Sequence, residues 1–261
     1  MAKSASNGGN LFQQWFLDGD CSSGSVRVLQ ERKGARDQVL DTIVEAATDH
    51  VIGLKVIESL GGFAKAMHVL KNRIPHAKIA RSGMLGEILA TEFLILETEF
   101  TAPIRRLRHR DTRDLAMRGD DVIGIQVKGA RIRVMKVEAK SRAKLAKAAV
   151  DEARDGLAKH MGRPNPETLA FIECTLRLTG RDDEAEPFAT LQRKTMRARD
   201  VCHLLFTLSG NNPTKFLETS SSLVSRGIEL RLCGCYVQQH AAFIKQIFDK
   251  CLARSERNGD C

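Results

Sequence analysis

Residues 118-RGDDVIGIQVKGARIRVMKVEAKSR-142 hold two β-branched runs separated by Gly129. VIGIQV reads as one strand, and the glycine turns the chain into a second, from Arg131 to Lys140. Alternation along that second strand puts Glu138 and Lys140 on one face and Met135, Val137 and Ala139 on the other. The apolar parity changes between Val134 and Met135, as a bulge or a centre buried on both faces would require. Two acids, Asp120 and Asp121, open the first strand. A hairpin that carries acids at one end and Glu-x-Lys at the same end is the feature around which the rest of the chain is arranged.

Upstream, Met84, Leu85, Ile88 and Leu89 recur at helical spacing, so a helix is expected from about Ile79 to Leu96, with Glu87 to one side of its apolar stripe. Downstream, Leu145, Ala148, Ala149, Ala153 and Leu157 mark a basic helix between Arg142 and His160. The N-terminal part offers a short strand at 25-SVRVLQ-30 and helices over Asp37–Val51 and Gly62–Leu70. Leu11, Phe12, Trp15 and Phe16 are candidates to anchor an otherwise loose, Gly- and Ser-rich start. In the C-terminal third a helix is expected over Glu167–Leu178, buried strands over Val201–Leu208 and Ile228–Val237, and a helix over Gln238–Arg254. The segment 180-GRDDEAEP-187 reads as an acidic loop.

The 261 residues carry a formal net charge of +9, and the excess is local. Residues 104–163 hold 17 Lys/Arg against 8 Asp/Glu, whereas residues 1–103 hold 11 against 12 and residues 164–261 hold 13 against 12. Basic charge concentrated in one segment suits a polyanion, and nucleic acid is the leading partner. Arg105, Arg106 and Arg108, with Arg142 and Lys144, are the candidate phosphate contacts. No apolar run is long enough to span a membrane and the first residues lack a signal-peptide core, so a cytoplasmic protein is expected. Seven cysteines in no zinc-ligand spacing point to reduced thiols. No phosphate-binding glycine loop is present, which argues against ATP-driven work.

If the two strands pair and the Glu87 helix packs beside them, Glu87, Asp121 and Glu138 converge with Lys140. Carboxylate oxygens are the ligands of hard cations such as Mg²⁺. With a lysine and a phosphate-binding surface, such a site has what phosphodiester hydrolysis needs. A second Glu-x-Lys at Glu31-Arg32-Lys33 has no acidic strand at hairpin distance and lies in a charge-neutral region, so it is read as ordinary surface.

The order GMLGEILATEFL, RGDDVIGI, VEAKSR resembles the PD-(D/E)xK nuclease superfamily, and within it the HamA family of the Hachiman anti-phage system. The resemblance implies an α/β fold: a restriction-endonuclease-like core of mixed sheet flanked by helices over residues 79–261, preceded by a mostly helical region over residues 1–78. It implies a metal-dependent DNase using Mg²⁺ or Mn²⁺, with Glu138, Lys140, Asp121 and Glu87 as catalytic groups and the three acids as metal ligands. It also implies a superfamily-2 helicase partner, HamB. The superfamily's proline before the acid is absent here, and Asp121 is preferred to Asp120 because it directly precedes the apolar run. Two other readings stay open: a nuclease-like adaptor that binds nucleic acid and a helicase without cutting, and an RNase.

Overall fold

A computed structural model describes residues 9–19, 24–110, 119–222 and 227–253. The chain opens with α1 (Leu11–Trp15), β1 (Phe16–Asp18) and β2 (Val26–Glu31), then runs through α2 (Ala35–Val51), α3 (Leu54–Ser59), α4 (Phe63–Arg73) and α5 (Lys78–Glu97). The hairpin follows as β3 (Val122–Lys128) and β4 (Arg131–Arg142). Next come α6 (Lys147–Ala158), α7 (Pro166–Leu178), α8 (Asp182–Arg193), β5 (Val201–Ser209), α9 (Thr214–Ser221), β6 (Glu229–Tyr236) and α10 (His240–Ala253).

All the strands join one mixed sheet in the order β1-β2-β6-β5-β4-β3. β4, β5, β6 and β2 run parallel to their neighbours, and β3 and β1 close the two edges antiparallel. Helices cover both faces. Cys202, Leu204, Phe206 and Leu208 of β5 pack with α1, α2, α5 and α10, while Leu205 of the same strand packs with α6 and α9. Beside the second group, α7 and α8 cover Ile123, Ile125 and Val134. Every residue of β5 is buried, as a central strand covered on both faces requires.

The same double cover explains the parity change in β4. Val134, Met135, Lys136 and Val137 are buried in succession, and β3 pairs with β4 residue for residue from Val122↔Val137 to Lys128↔Arg131. The centre is therefore doubly buried and carries no bulge.

The sheet crosses residue 78: β2 pairs with β6, and Leu11, Phe12, Trp15 and Phe16 share a core with Phe243, Ile247 and Phe248. The remaining N-terminal residues expected to be loose, 1–8 and 20–23, lie outside those described, as do Cys21 and Cys261. The acidic segment 180–187 is not a loop. Asp182, Asp183 and Glu184 form the first turn of α8, where acids complement the unpaired amides and the helix dipole, and Pro187 lies inside that helix. Among the described residues no helix is long and apolar enough to cross a membrane. Cys174 is an exposed free thiol, and Cys202, Cys233, Cys235 and Cys251 are buried free thiols.

Candidate active site

Two glycines let α5 come down on the hairpin. A Cβ on Gly124 would stand 2.5 Å from the Leu94 side chain, and one on Gly86 would stand 3.0 Å from the Cβ of Ser141. Glu87 follows Gly86, so this close approach carries its carboxyl to the end of the hairpin where Asp121 and Glu138 stand. Asp121 precedes Val122, the partner of Val137, and its Oδ2 accepts the Ala139 amide at 2.9 Å. Lys140 Nζ donates to Glu138 Oε1 at 3.0 Å and to Glu152 of α6 at 3.2 Å.

The electrostatics bind the group together. Burial, then the charges of Asp121 and Glu138, push the Glu87 carboxyl up to about 8, against the pull of Arg106 and Arg110. Burial and Asp121 push Glu138 up to about 7, with Lys140 and Lys136 opposing. Asp121 is raised by burial despite the Ala139 amide, Lys140 and Arg106. Burial works to lower the Lys140 ammonium, but Glu138, Glu152 and Asp121 outweigh it, so it shifts upward and stays charged.

Three half-buried carboxyls, raised by burial and by neighbouring acids, form an oxygen-only donor set in which the opposing cations Lys140, Lys136, Arg106 and Arg110 do not restore the ordinary carboxylate range. That chemistry fits a hard divalent ion, which would exchange for their protons. As they stand, the described side chains include no group of three His, Cys, Asp or Glu closed tightly enough to hold an ion. Glu138 is tethered to Lys140, and one oxygen of Asp121 is taken by the Ala139 amide. Mg²⁺ keeps several waters and needs only one or two carboxylates.

The HamA family matches residues 11–251 of the chain. The chain belongs to the HamA family. A Hachiman protein HamA from Bacillus cereus is 25% identical over 256 residues, which cover 92% of this chain and 90% of that protein.

Some residues of this HamA chain do other work than its sequence suggests. Arg108 donates to the Asp49 carbonyl and carboxylate, both at 2.7 Å, and Arg105 pairs with Glu92 at 3.3 Å. Arg106 donates to the backbone carbonyls of Asp120 and Asp121. These three were expected to face phosphate; instead their guanidinium groups are half-buried and committed inside the protein, and Arg106 latches the segment that carries the acids. Arg131 pairs with Asp200, and Arg133 with Glu99 and Glu229. Arg142 ends β4, half-buried, and Lys144 lies exposed two residues past the strand.

Asp120 is turned to Lys136, a lysine only 1% exposed, at 3.3 Å; its other oxygen accepts the Asn165 amide at 2.6 Å. Lys136 Nζ also donates to the carbonyls of Lys159 and Arg163. The signal for this pair was a lysine inside an apolar run. Gly156 was also missed. Its Cα lies over Glu138, so a Cβ there would stand 2.7 Å from the carboxyl carbon. A glycine inside an otherwise helical pattern was its only trace. Glu31, in the second Glu-x-Lys, is a structural staple that accepts Trp15 Nε1, Arg36 and the Gln238 amide.

Proposed function

We propose that this HamA protein is the DNase effector of a Hachiman anti-phage system, of the PD-(D/E)xK kind, and that it hydrolyses phosphodiester bonds with little sequence readout. The observation that carries the reading is the juxtaposition of Glu87, Asp121 and Glu138 with Lys140, each carboxyl raised by burial and its neighbours. Glu138, Asp121 and Glu87 would hold Mg²⁺ or Mn²⁺. A bound divalent ion supplies charge neutralisation for a phosphodiester and for the nucleophile that attacks it. Lys140 keeps its proton, orients Glu138 through their hydrogen bond and offers a fixed positive charge to a phosphate oxygen as negative charge develops. Glu152 anchors Lys140 from the helix side. Arg142, at the end of the strand, and Lys144, just past it, supply phosphate contacts. A nuclease without sequence readout needs restraint, which supports the superfamily-2 helicase HamB as its partner in a cytoplasmic complex.

The test is a cleavage panel of plasmid, linear duplex and RNA, with Mg²⁺ or with EDTA, beside calorimetric metal titration. Glu138→Ala should lose both metal affinity and cutting. Lys140→Met should abolish cutting while metal binding persists, because a protonated lysine is no ligand. Cutting of RNA alone would replace DNase with RNase. Near-wild-type cutting by either variant would reduce the motif to an exposed ion pair.

A further inference from the structure

Immediately past Lys140 the strand end borders a cavity of about 680 Å³ between the starts of α5 and α10. Among the described residues no acid lines it, whereas Lys78, Arg81, Arg142 and Lys245 all do. Two of these cations have internal work: Arg81 Nε donates to the Pro75 carbonyl at 2.7 Å, and Lys245 pairs with Asp249. Lys78 stands exposed on the rim, and Arg142 uses one nitrogen on the Ser141 carbonyl at 2.9 Å.

Both helices begin at this cavity. α5 has 20 residues and α10 has 14, neither has an acid in its first turn, and no side chain caps the N-terminus of α5. First-turn amides without intrahelical partners favour an anion. Part of the lining is aliphatic. Ile79, 81% exposed, stands on the rim of the cavity, and the exposed Ala242 and the buried Ile244 also line it.

Cations and open helix starts beside an exposed aliphatic side chain suit a ligand with a phosphate at one end and a flat ring at the other. We propose that this cavity binds one unpaired nucleotide unit, its phosphate on Lys78, Arg142 and the amides that open the two helices, its base against Ile79 and Ala242. This rests on the nuclease reading for its meaning: with Arg142 two residues from Lys140, a nucleotide seated here would belong to a strand entering the carboxylate site. Single strands are generally held by phosphate contacts together with sequence-tolerant packing against the faces of the bases, usually on aromatic rings; here the aliphatic Ile79 would take the place of the ring.

The test uses the full-length protein in EDTA, where no cutting occurs, and reads fluorescence anisotropy of a labelled oligothymidylate and of a blunt duplex of equal length. Ile79→Glu and Ala242→Glu each put an acid into the first turn of a helix, which favours the helix start, so both should fold. Each should weaken oligothymidylate binding roughly threefold or more, by loss of aliphatic contact and by repulsion of the phosphate, and change duplex binding little. Competition by thymidine monophosphate would identify a free nucleotide as sufficient; competition by unlabelled oligothymidylate alone would identify the strand as the source. Unchanged oligothymidylate affinity in both folded variants, or an equal loss on the duplex, would overturn the proposal. Because binding is read without metal, a protein that proves unable to cut yet keeps this selectivity would sink the nuclease reading and leave the cavity standing.

Discussion

Replacing Gly156 by alanine sets two physical effects against each other. Gly156 lies inside α6, and alanine in a helix interior is favoured over glycine by about 1 kcal/mol. On helix propensity alone, stability should rise by that amount, or by about 2–4 °C in melting temperature for a protein of this size. The added Cβ, however, would stand 2.7 Å from Cδ, 2.8 Å from Oε2 and 2.9 Å from Oε1 of Glu138. No carbon approaches a carboxylate so closely, so one of them moves. The carboxylate is the end of a flexible side chain and the helix backbone is not, so the carboxylate gives way and its 3.0 Å hydrogen bond to Lys140 is broken or lengthened. A displacement of about 1 Å at a reacting group costs on the order of 10²-fold in rate. Gly156→Ala should therefore melt no lower than wild type while cutting about 10²-fold more slowly, read by circular dichroism melting beside cleavage of linear duplex in Mg²⁺. Wild-type cutting by a folded variant would refute the reasoning at its root, because the position of Glu138 would then not matter. A melting temperature several degrees lower would show that the helix, rather than the carboxylate, had yielded.

The raised carboxyls predict how stability depends on pH. Glu87 ionises at about 8 in the folded protein against an ordinary 4.5, so between those values the native state holds more protons than the unfolded chain, and stability falls as pH rises. Glu87→Gln should be more stable than wild type at pH 8 and no more stable at pH 4; parallel melting curves across that range would contradict the shift. Mg²⁺, binding the ionised acids, should raise the wild-type melting temperature at pH 8 and do little at pH 5. Lys136→Met strands the buried Asp120 carboxylate and should cost about 3–5 kcal/mol in urea unfolding, with recovery on adding Asp120→Asn. A cost below 1 kcal/mol would mean that the pair is incidental. Arg142→Ala with Lys144→Ala should flatten the salt dependence of DNA binding, by up to about 0.9 in slope for each phosphate no longer neutralised, whereas neutralising Arg105, Arg106 and Arg108 should lower stability instead.

The hairpin, the Glu87 helix and the acids were legible because each rests on local pattern: alternation, a turn glycine, an apolar stripe. What escaped the sequence was what distant chain segments do to one another. β2 finds β6 some two hundred residues later, and nothing near 25-SVRVLQ-30 announces that pairing. The acidic stretch 180–187 looked like a loop because it is polar and contains a proline, but its acids satisfy the start of α8. Arg105, Arg106 and Arg108 looked like a phosphate surface because a charge count cannot see partners. Glu92 comes from α5, Asp49 from α2, and the carbonyls of Asp120 and Asp121 from the residues that lead into β3.

Those internal partners bear on the site itself. Arg106 grips the Asp120 and Asp121 carbonyls, and Lys136 neutralises the Asp120 carboxylate, so the cations of the basic segment hold the acidic loop in place from behind. Held there, Asp121 cannot retreat from Glu87 and Glu138 to relieve their repulsion. Lys140 is hydrogen-bonded within the group and Lys136, Arg106 and Arg110 also pull on it, yet two of the carboxyls are raised to about 7 and about 8. A site with only a structural role would gain stability from a second lysine or from losing an acid. On the proposed reading a divalent ion would take the place of the carboxyl protons, and the contacts behind the acids would keep them together for it.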